Sequence, residues 1–397
     1  MNIKPQAVIA RIFLLLVVVI VLPFLHIDWG MMKERWRRSV WKRLLWWLPC
    51  VAMLIYTVML AQLRSFAPLE TWELFLYLLL LGVIIVPVAL FALCSIIGAF
   101  CKRMGWARRN YGIRVGAILA VLCVVLVLYG SFIGNKGVNV RRVDYSSSQL
   151  PPSFDGYRIV LFSDAHVGSF IWGSIGQLQN VVDTINSQHA QMIAFTGDLQ
   201  NMHPDELLPA MPILSKLSAP DGVFSVLGNH DYGDYLRADS ATTAHNHRLM
   251  LDRQKQMGWR LLMDENSVVH RNGDSIFVAG MQNDGKVSIP SKGDPDKAMA
   301  GVPQGAFTIM LEHDPSSWRR TVLPHTTAQL TLSGHTHGGQ VRVAGLSPSA
   351  LTYDEYDGMY IAKSNRALFV SSGISGFVPF RIGVKPEVVV ITLHKKG

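Results

Sequence analysis

The stretch "SGHTHGGQ", Ser333 to Gln340, sets His335 and His337 two apart on a glycine-rich turn, directly after the apolar run "AQLTL". Four earlier blocks share this form, an apolar run that delivers a polar side chain. They bring Asp164 and His166 in "IVLFSDAH", Asp198 in "MIAFTGD", Asn229, His230 and Asp231 in "VFSVLGNHD", and His313 in "FTIMLEHD". A single Asp after a strand serves most often as a cap or turn residue. Five such blocks carrying imidazole, carboxylate and amide oxygen point to one shared task. The donor set suits divalent metals of intermediate hardness: manganese, iron or zinc. The second half of the chain contains no Cys, which argues against a structural zinc and excludes a thiol nucleophile. The donors are too many for one ion, whereas two ions sharing a carboxylate would use them all.

Something must hold these side chains together. Short apolar runs bounded by turn residues predict buried strands. Helical patterns intervene over 176–188, 204–216 and 241–257, which gives a βαβ rhythm. In open α/β sheets ligands collect beyond the carboxyl ends of the strands, where all five blocks place their polar residues. The apolar runs "ALFVSSG" and "PEVVVITL" near the end add strand, so two packed sheets flanked by helices are expected.

"DAH", "GDLQN", "GNHD", the lone His of "LEHDP" and "GHTHGGQ", in this order, resemble the calcineurin-like metallophosphoesterase superfamily. The resemblance spans about 155–393. "GHTHGGQ" and "VPFRIGVKPEVVVITL" look most like membrane-anchored or exported bacterial phosphoesterases of the YkuE/YaeI type. It implies that Asp164, His166 and His337 hold one metal, that Asn229, His313 and His335 hold a second, and that Asp198 bridges them. It also implies a catalytic His230, acting as acid or charge stabiliser and oriented by Asp231. A water bridging two such ions loses a proton near neutral pH, and the hydroxide attacks phosphorus with no covalent enzyme intermediate. Two positions depart from the pattern: Asn201 where an Asp is common, and Ser372 where relatives often carry Arg. Glu312 and Asp314, flanking His313, have no assigned role at this level.

The first third of the chain is of another kind. Apolar runs over 7–25, 44–63, 74–100 and 115–133 are each about long enough to cross a bilayer as a helix. A signal peptide would explain only the first, and no small-residue cleavage site follows it. The expected organisation is a four-helix transmembrane segment over 1–140, a linker over 141–156 and an α/β catalytic domain over 157–397. Arg64, Glu70 and Glu73 read as loop residues, so the spans lack the buried charges of a transporter.

Charge separates the two parts. Residues 1–142 carry 17 Lys+Arg against 4 Asp+Glu, and the remainder 20 against 24. The domain has no basic surplus for a phosphate backbone, so no nucleic-acid partner is expected. Lys33, Arg35, Arg37, Arg38, Lys42 and Arg43 fall between the first two runs, and Lys102, Arg103, Arg108, Arg109 and Arg114 between the last two. The other side has only Lys4, Arg11, Arg64, Lys136, Arg141 and Arg142. The positive-inside rule then puts the domain on the outer or periplasmic face of the cytoplasmic (inner) membrane. The expected partners are a lipid bilayer and a phosphate-ester substrate, from the cell envelope or linked to a lipid. A UDP-sugar lipid precursor diphosphatase is the alternative, but it needs a cytoplasmic site, which these loop charges oppose.

Overall fold

The computed structural model describes residues 5–32, 34–63, 71–170, 175–236, 238–286, 292–378 and 380–397. Lys4, Lys33, Arg64 and Glu70, used above, lie outside the described residues. The chain divides into two compact units, Met1–Ile133 and Gly134–Gly397.

Among the described residues of the first unit, four helices are long and apolar enough to cross a membrane: Phe13–Gly30, Val40–Ala61, Thr71–Arg103 and Gly112–Phe132. The third passes through a π-helical turn, Leu81–Ile85, just before Pro87. Proline has no N–H to close the regular ladder, so the turn widens there. Gly112 lets the third and fourth helices approach, since a Cβ there would sit 1.8 Å from the Cys94 carbonyl oxygen. Glu73, expected in a loop, lies in the first turn of the third helix. Asp28, inside the first helix, is buried and paired with Arg43 at 2.8 Å.

The second unit is built from β1 (Asn139–Ser147), β2 (Tyr157–Phe162), β3 (Met192–Phe195), β4 (Val223–Ser225), β5 (Arg260–Leu261), β6 (Glu265–Arg271), β7 (Asp274–Gly280), β8 (Thr308–Leu311), β9 (Leu330–Ser333), β10 (Gly358–Ile361), β11 (Ala367–Val370) and β12 (Glu387–Lys395). They form two mixed sheets, ordered β1-β12-β2-β3-β4-β5 and β10-β11-β9-β8-β7-β6. The runs are continuously apolar because both faces of each sheet are covered. Ile159 and Leu161 of β2 point into the core between the sheets, while Val160 and Phe162 pack toward the helical layer. Leu178, Val181, Val182 and Ile185 of the helix Ile175–Asn186 sit at helical spacing and fill that same outer core.

Two expectations are corrected here. Residues 141–156 are no linker. Asn139–Ser147 pairs in parallel with β12, and Tyr145, Leu150 and Phe154 are buried between the sheets. Of the Ser and Pro content that suggested a connector, Ser146 and Ser147 end β1, and Ser148, Pro151, Pro152 and Ser153 follow it. The helix expected over 204–216 is split into a 3-10 turn, Pro204–Leu207, and a short helix, Met211–Leu214. Pro209 and Pro212 remove the N–H groups that one continuous helix would need.

Candidate metal centre

All five blocks reach the same end of the two sheets. Asp164 and His166 follow β2, Asp198 follows β3, Asn229 follows β4, His313 follows β8, and His335 and His337 follow β9. Parallel pairing of β2 with β3, of β3 with β4, and of β8 with β9 aligns these carboxyl ends. Asp164, His166, Asp198, His335 and His337 all have positive φ, between 40° and 70°. Side chains rarely adopt that region, at a cost on the order of 1–3 kcal/mol each, so the surroundings must enforce it. Much of the enforcement is close approach. A Cβ on Gly228 would lie 2.2 Å from Asp198 Oδ1, and one on Gly334 would lie 2.5 Å from Asp164 Oδ2.

The ligand atoms converge in two neighbouring clusters. Asp164, His166 and His337 form one, and Asp198, His313 and His335 the other, with the donor atoms of each cluster within 4.8 Å of one another. Asp198 Oδ2 lies 3.6 Å from His166 Nε2 and 3.1 Å from His313 Nε2, so its carboxylate stands between them. Asn229 joins the second cluster through Oδ1, 3.1 Å from His313 Nε2 and 2.8 Å from His335 Nδ1. Its Nδ2 is turned away to donate to the Tyr235 hydroxyl at 2.7 Å. A third grouping joins His166, Asp198 and His230, which places the His230 ring against both clusters.

Carbonyl oxygens set the imidazole tautomers, because a carbonyl can only accept. His313 Nδ1 donates to Thr196 O at 2.6 Å, and His337 Nδ1 to Ser375 O at 3.1 Å. In the neutral rings each Nε2 is left with a lone pair aimed into the centre. Both ring nitrogens of His166 are buried without a hydrogen-bond partner among the described residues. An orphaned imidazole is costly unless something absent from the protein chain binds it. This donor set fits divalent ions.

The charges agree. Burial, with His230 nearby, holds His166 well below the ordinary imidazole range. Burial also lowers His335 and His337. For His313 burial acts downward too, but the Asp198 carboxylate outweighs it and lifts the ring to about 10. Asp198 is held well below the usual carboxylate range: burial opposes this, and His313 and His230 prevail.

His230 and Asp231 differ from expectation. His230 is oriented by a backbone carbonyl, its Nδ1 donating to Asn201 O at 2.6 Å, and its ring stacks on Tyr235 at 4.4 Å. The Asp231 carboxylate does not orient it. It accepts the N–H groups of Asp198, Leu199, Gln200 and Gly228. Adjacent residues in this 3-10 turn, Asn229–Tyr232, point in different directions, so sequence neighbours need not touch.

The unassigned positions also gain partners. Glu312 accepts Asp284 N–H at 3.0 Å and the Ser317 hydroxyl at 2.5 Å, while Asp314 Oδ2 faces His335 Nε2 at 3.8 Å. At Ser372 the backbone carbonyl accepts from the buried Arg381 guanidinium at 2.8 Å. Tyr353, whose hydroxyl is 2.7 Å from His335 Nε2, carried no signal in the sequence. It stands outside every motif.

The calcineurin-like phosphoesterase family matches residues 157–339. The uncharacterized metallophosphoesterase YkuE of Bacillus subtilis is 32% identical over 281 residues, covering 67% of this chain and 88% of that protein. A metallophosphoesterase of Aquifex aeolicus is 25% identical, covering 69% of this chain and 99% of its own. A transmembrane protein with metallophosphoesterase domain from Danio rerio is 26% identical, covering 71% of this chain but 63% of its own length. By these matches the chain belongs to the calcineurin-like phosphoesterases, metal-dependent hydrolases of phosphoric esters.

Proposed function

We propose that this chain is a membrane-held, dinuclear phosphoesterase that cleaves a phosphodiester or phosphomonoester of a cell-envelope or lipid-linked molecule. Asp164, His166 and His337 hold one ion, Asn229, His313 and His335 the other, and Asp198 serves both. The observation that carries the reading is the placement of Asp198 Oδ2 between His166 and His313, one imidazole from each cluster. When bound, two divalent ions, manganese in preference to iron or zinc, supply positive charge for phosphoryl oxygens and acidify water.

The protein's own groups do the rest. The carbonyl of Asn201 fixes the Nδ1 proton of His230, so Nε2 is the position that exchanges a proton with the leaving oxygen. Tyr235 and Phe377 flank the His230 ring, at 4.4 and 5.5 Å between centroids, and keep it from swinging. Asp231 holds the backbone that carries Asp198. Lys and Arg clustered in two loops support a catalytic unit outside the cytoplasmic membrane.

Purified full-length protein, tested on bis-p-nitrophenyl phosphate and p-nitrophenyl phosphate, is expected to be active with Mn²⁺ and inactive after chelation. Activity that persists in metal-free protein would refute the dinuclear reading.

A further inference from the structure

We propose that the loop 341–352 rests in the boundary between headgroups and acyl chains of a phospholipid bilayer, so that the metal centre receives its phosphoester at the membrane surface. The inference rests on the phosphoesterase reading above and adds the place where the substrate is met.

The loop exposes aliphatic side chains that water does not favour. Val343 is 59% exposed, Leu346 79% and Leu351 88%. Val343 and Leu346 are paired through reciprocal backbone hydrogen bonds of 3.0 Å, with Ala344 and Gly345 at positive φ forming a tight turn between them. The tip is therefore a defined hairpin. It is fastened to the centre. Ser347 Oγ donates to Gly338 O at 2.9 Å, Ser349 Oγ to Thr336 O at 3.3 Å, and Tyr353, two residues after Leu351, reaches His335 at 2.7 Å.

The position of β1 indicates what covers these side chains. β1 starts beside Glu387, which accepts Ser372 N–H, so its first residue lies at the end of the sheet that carries the metal ligands. Arg141 of β1 and Arg342 of the loop share the Asp357 carboxylate at 3.3 and 2.7 Å. Only residues 133–138 separate β1 from the apolar helix Gly112–Phe132. Such a tether reaches about 20 Å at most. β1 thus begins at this loop's end of the sheet, and by connectivity it follows within a few residues a helix long and apolar enough to cross a membrane. Exposed Lys286, bonded through Nζ to Thr352 O at 2.7 Å, adds a cation next to Leu351, as anionic headgroups would require.

The test uses the full chain in nanodiscs of phosphatidylcholine and phosphatidylglycerol, one copy per disc. Nitroxide labels at Leu346→Cys and Leu351→Cys, with Cys50, Cys94, Cys101 and Cys123 replaced by Ala, are expected to lose contact with a water-soluble nickel relaxant and gain contact with oxygen. A label at Ile361→Cys, at the opposite end of the sheet, keeps its nickel contact. Labels at 346 and 351 that stay water-accessible overturn the proposal, as does protection seen only with two copies per disc, which would assign the loop to a dimer.

A second measurement needs no cysteine replacement. The double variant Leu346→Asp/Leu351→Asp is expected to lose turnover of hexadecyl p-nitrophenyl phosphate embedded in the discs, and to keep that of bis-p-nitrophenyl phosphate in solution. Equal effects on both substrates overturn the proposal. If neither substrate is cleaved by the native chain, the hydrolase reading fails while the labels still decide where the loop lies.

Discussion

The Asp231 carboxylate grips the main chain of Asp198: its Oδ2 accepts the Asp198 N–H at 2.9 Å, and the same oxygen accepts Gly228 N–H at 2.9 Å. Its other oxygen accepts Leu199 N–H at 2.8 Å and Gln200 N–H at 3.2 Å. One buried side chain thus ties together the turns after β3 and β4, which carry Asp198 and Asn229. Asp231→Ala would orphan those buried donors, each at about 1–3 kcal/mol. A loss of at least about 3 kcal/mol is expected. Thermal unfolding of the full chain will show a markedly lower midpoint, and metal analysis a lower content. Asp231→Asn, which keeps one acceptor, falls between. A midpoint unchanged in Asp231→Ala would refute the structural role.

Asp198→Asn and His230→Ala are expected to fail in different ways. Asp198 faces both imidazole clusters, so its amide weakens both ions, and metal analysis will find less of each. His230 is anchored to Asn201 O, and its removal is expected to leave metal content intact while turnover falls on the order of 10²–10⁴-fold. Metal loss in His230→Ala as severe as in Asp198→Asn would show that His230 is a ligand.

Glu206, which is not among the proposed metal ligands, supplies a pH dependence of its own. Its carboxylate accepts Asn201 N–H at 2.6 Å, Met202 N–H at 2.9 Å and His203 N–H at 3.1 Å, yet burial raises it from 4.5 to about 7. A raised carboxyl means that the folded state binds more proton between those values, so stability present below pH 4.5 is lost as pH rises toward 7. The shift corresponds to about 3 kcal/mol. Melting of the full chain at about pH 5 and 8 will show a larger fall for the native protein than for Glu206→Gln, which cannot titrate. Equal falls would refute the assignment.

The loop charges predict the sidedness proposed above. A C-terminal alkaline phosphatase fusion, active only when exported, is expected to be active. A fluorescent fusion that folds only in the cytoplasm is expected to stay dark. A bright cytoplasmic reporter would reverse the topology and revive the UDP-sugar lipid diphosphatase.

The ligand types were legible in the sequence because strand-end chemistry is local. A short apolar run stops and an Asp, Asn or His follows, as at Asp164 and His335. The two packed sheets were legible for the same reason, since both-face burial writes itself as an unbroken apolar run; their mixed pairing was not. The helix over 204–216 failed because its prolines were outvoted by its apolar spacing. β1 failed because Arg141 and Arg142 look like connector residues until β12 is placed beside them.

What the sequence alone determined is which side chains are available for chemistry and in what order they arrive. Tertiary structure decided which of them meet. His230 is held by the Asn201 carbonyl, Asp231 by four amides, and His335 by Tyr353, eighteen residues away. Backbone carbonyls and amides are the same at every residue and leave no mark on a sequence. Contacts such as Arg141–Asp357, between residues 216 apart, exist only once the sheets bring distant strands together. Side-chain chemistry is written locally, whereas its orientation depends on groups that only folding makes neighbours.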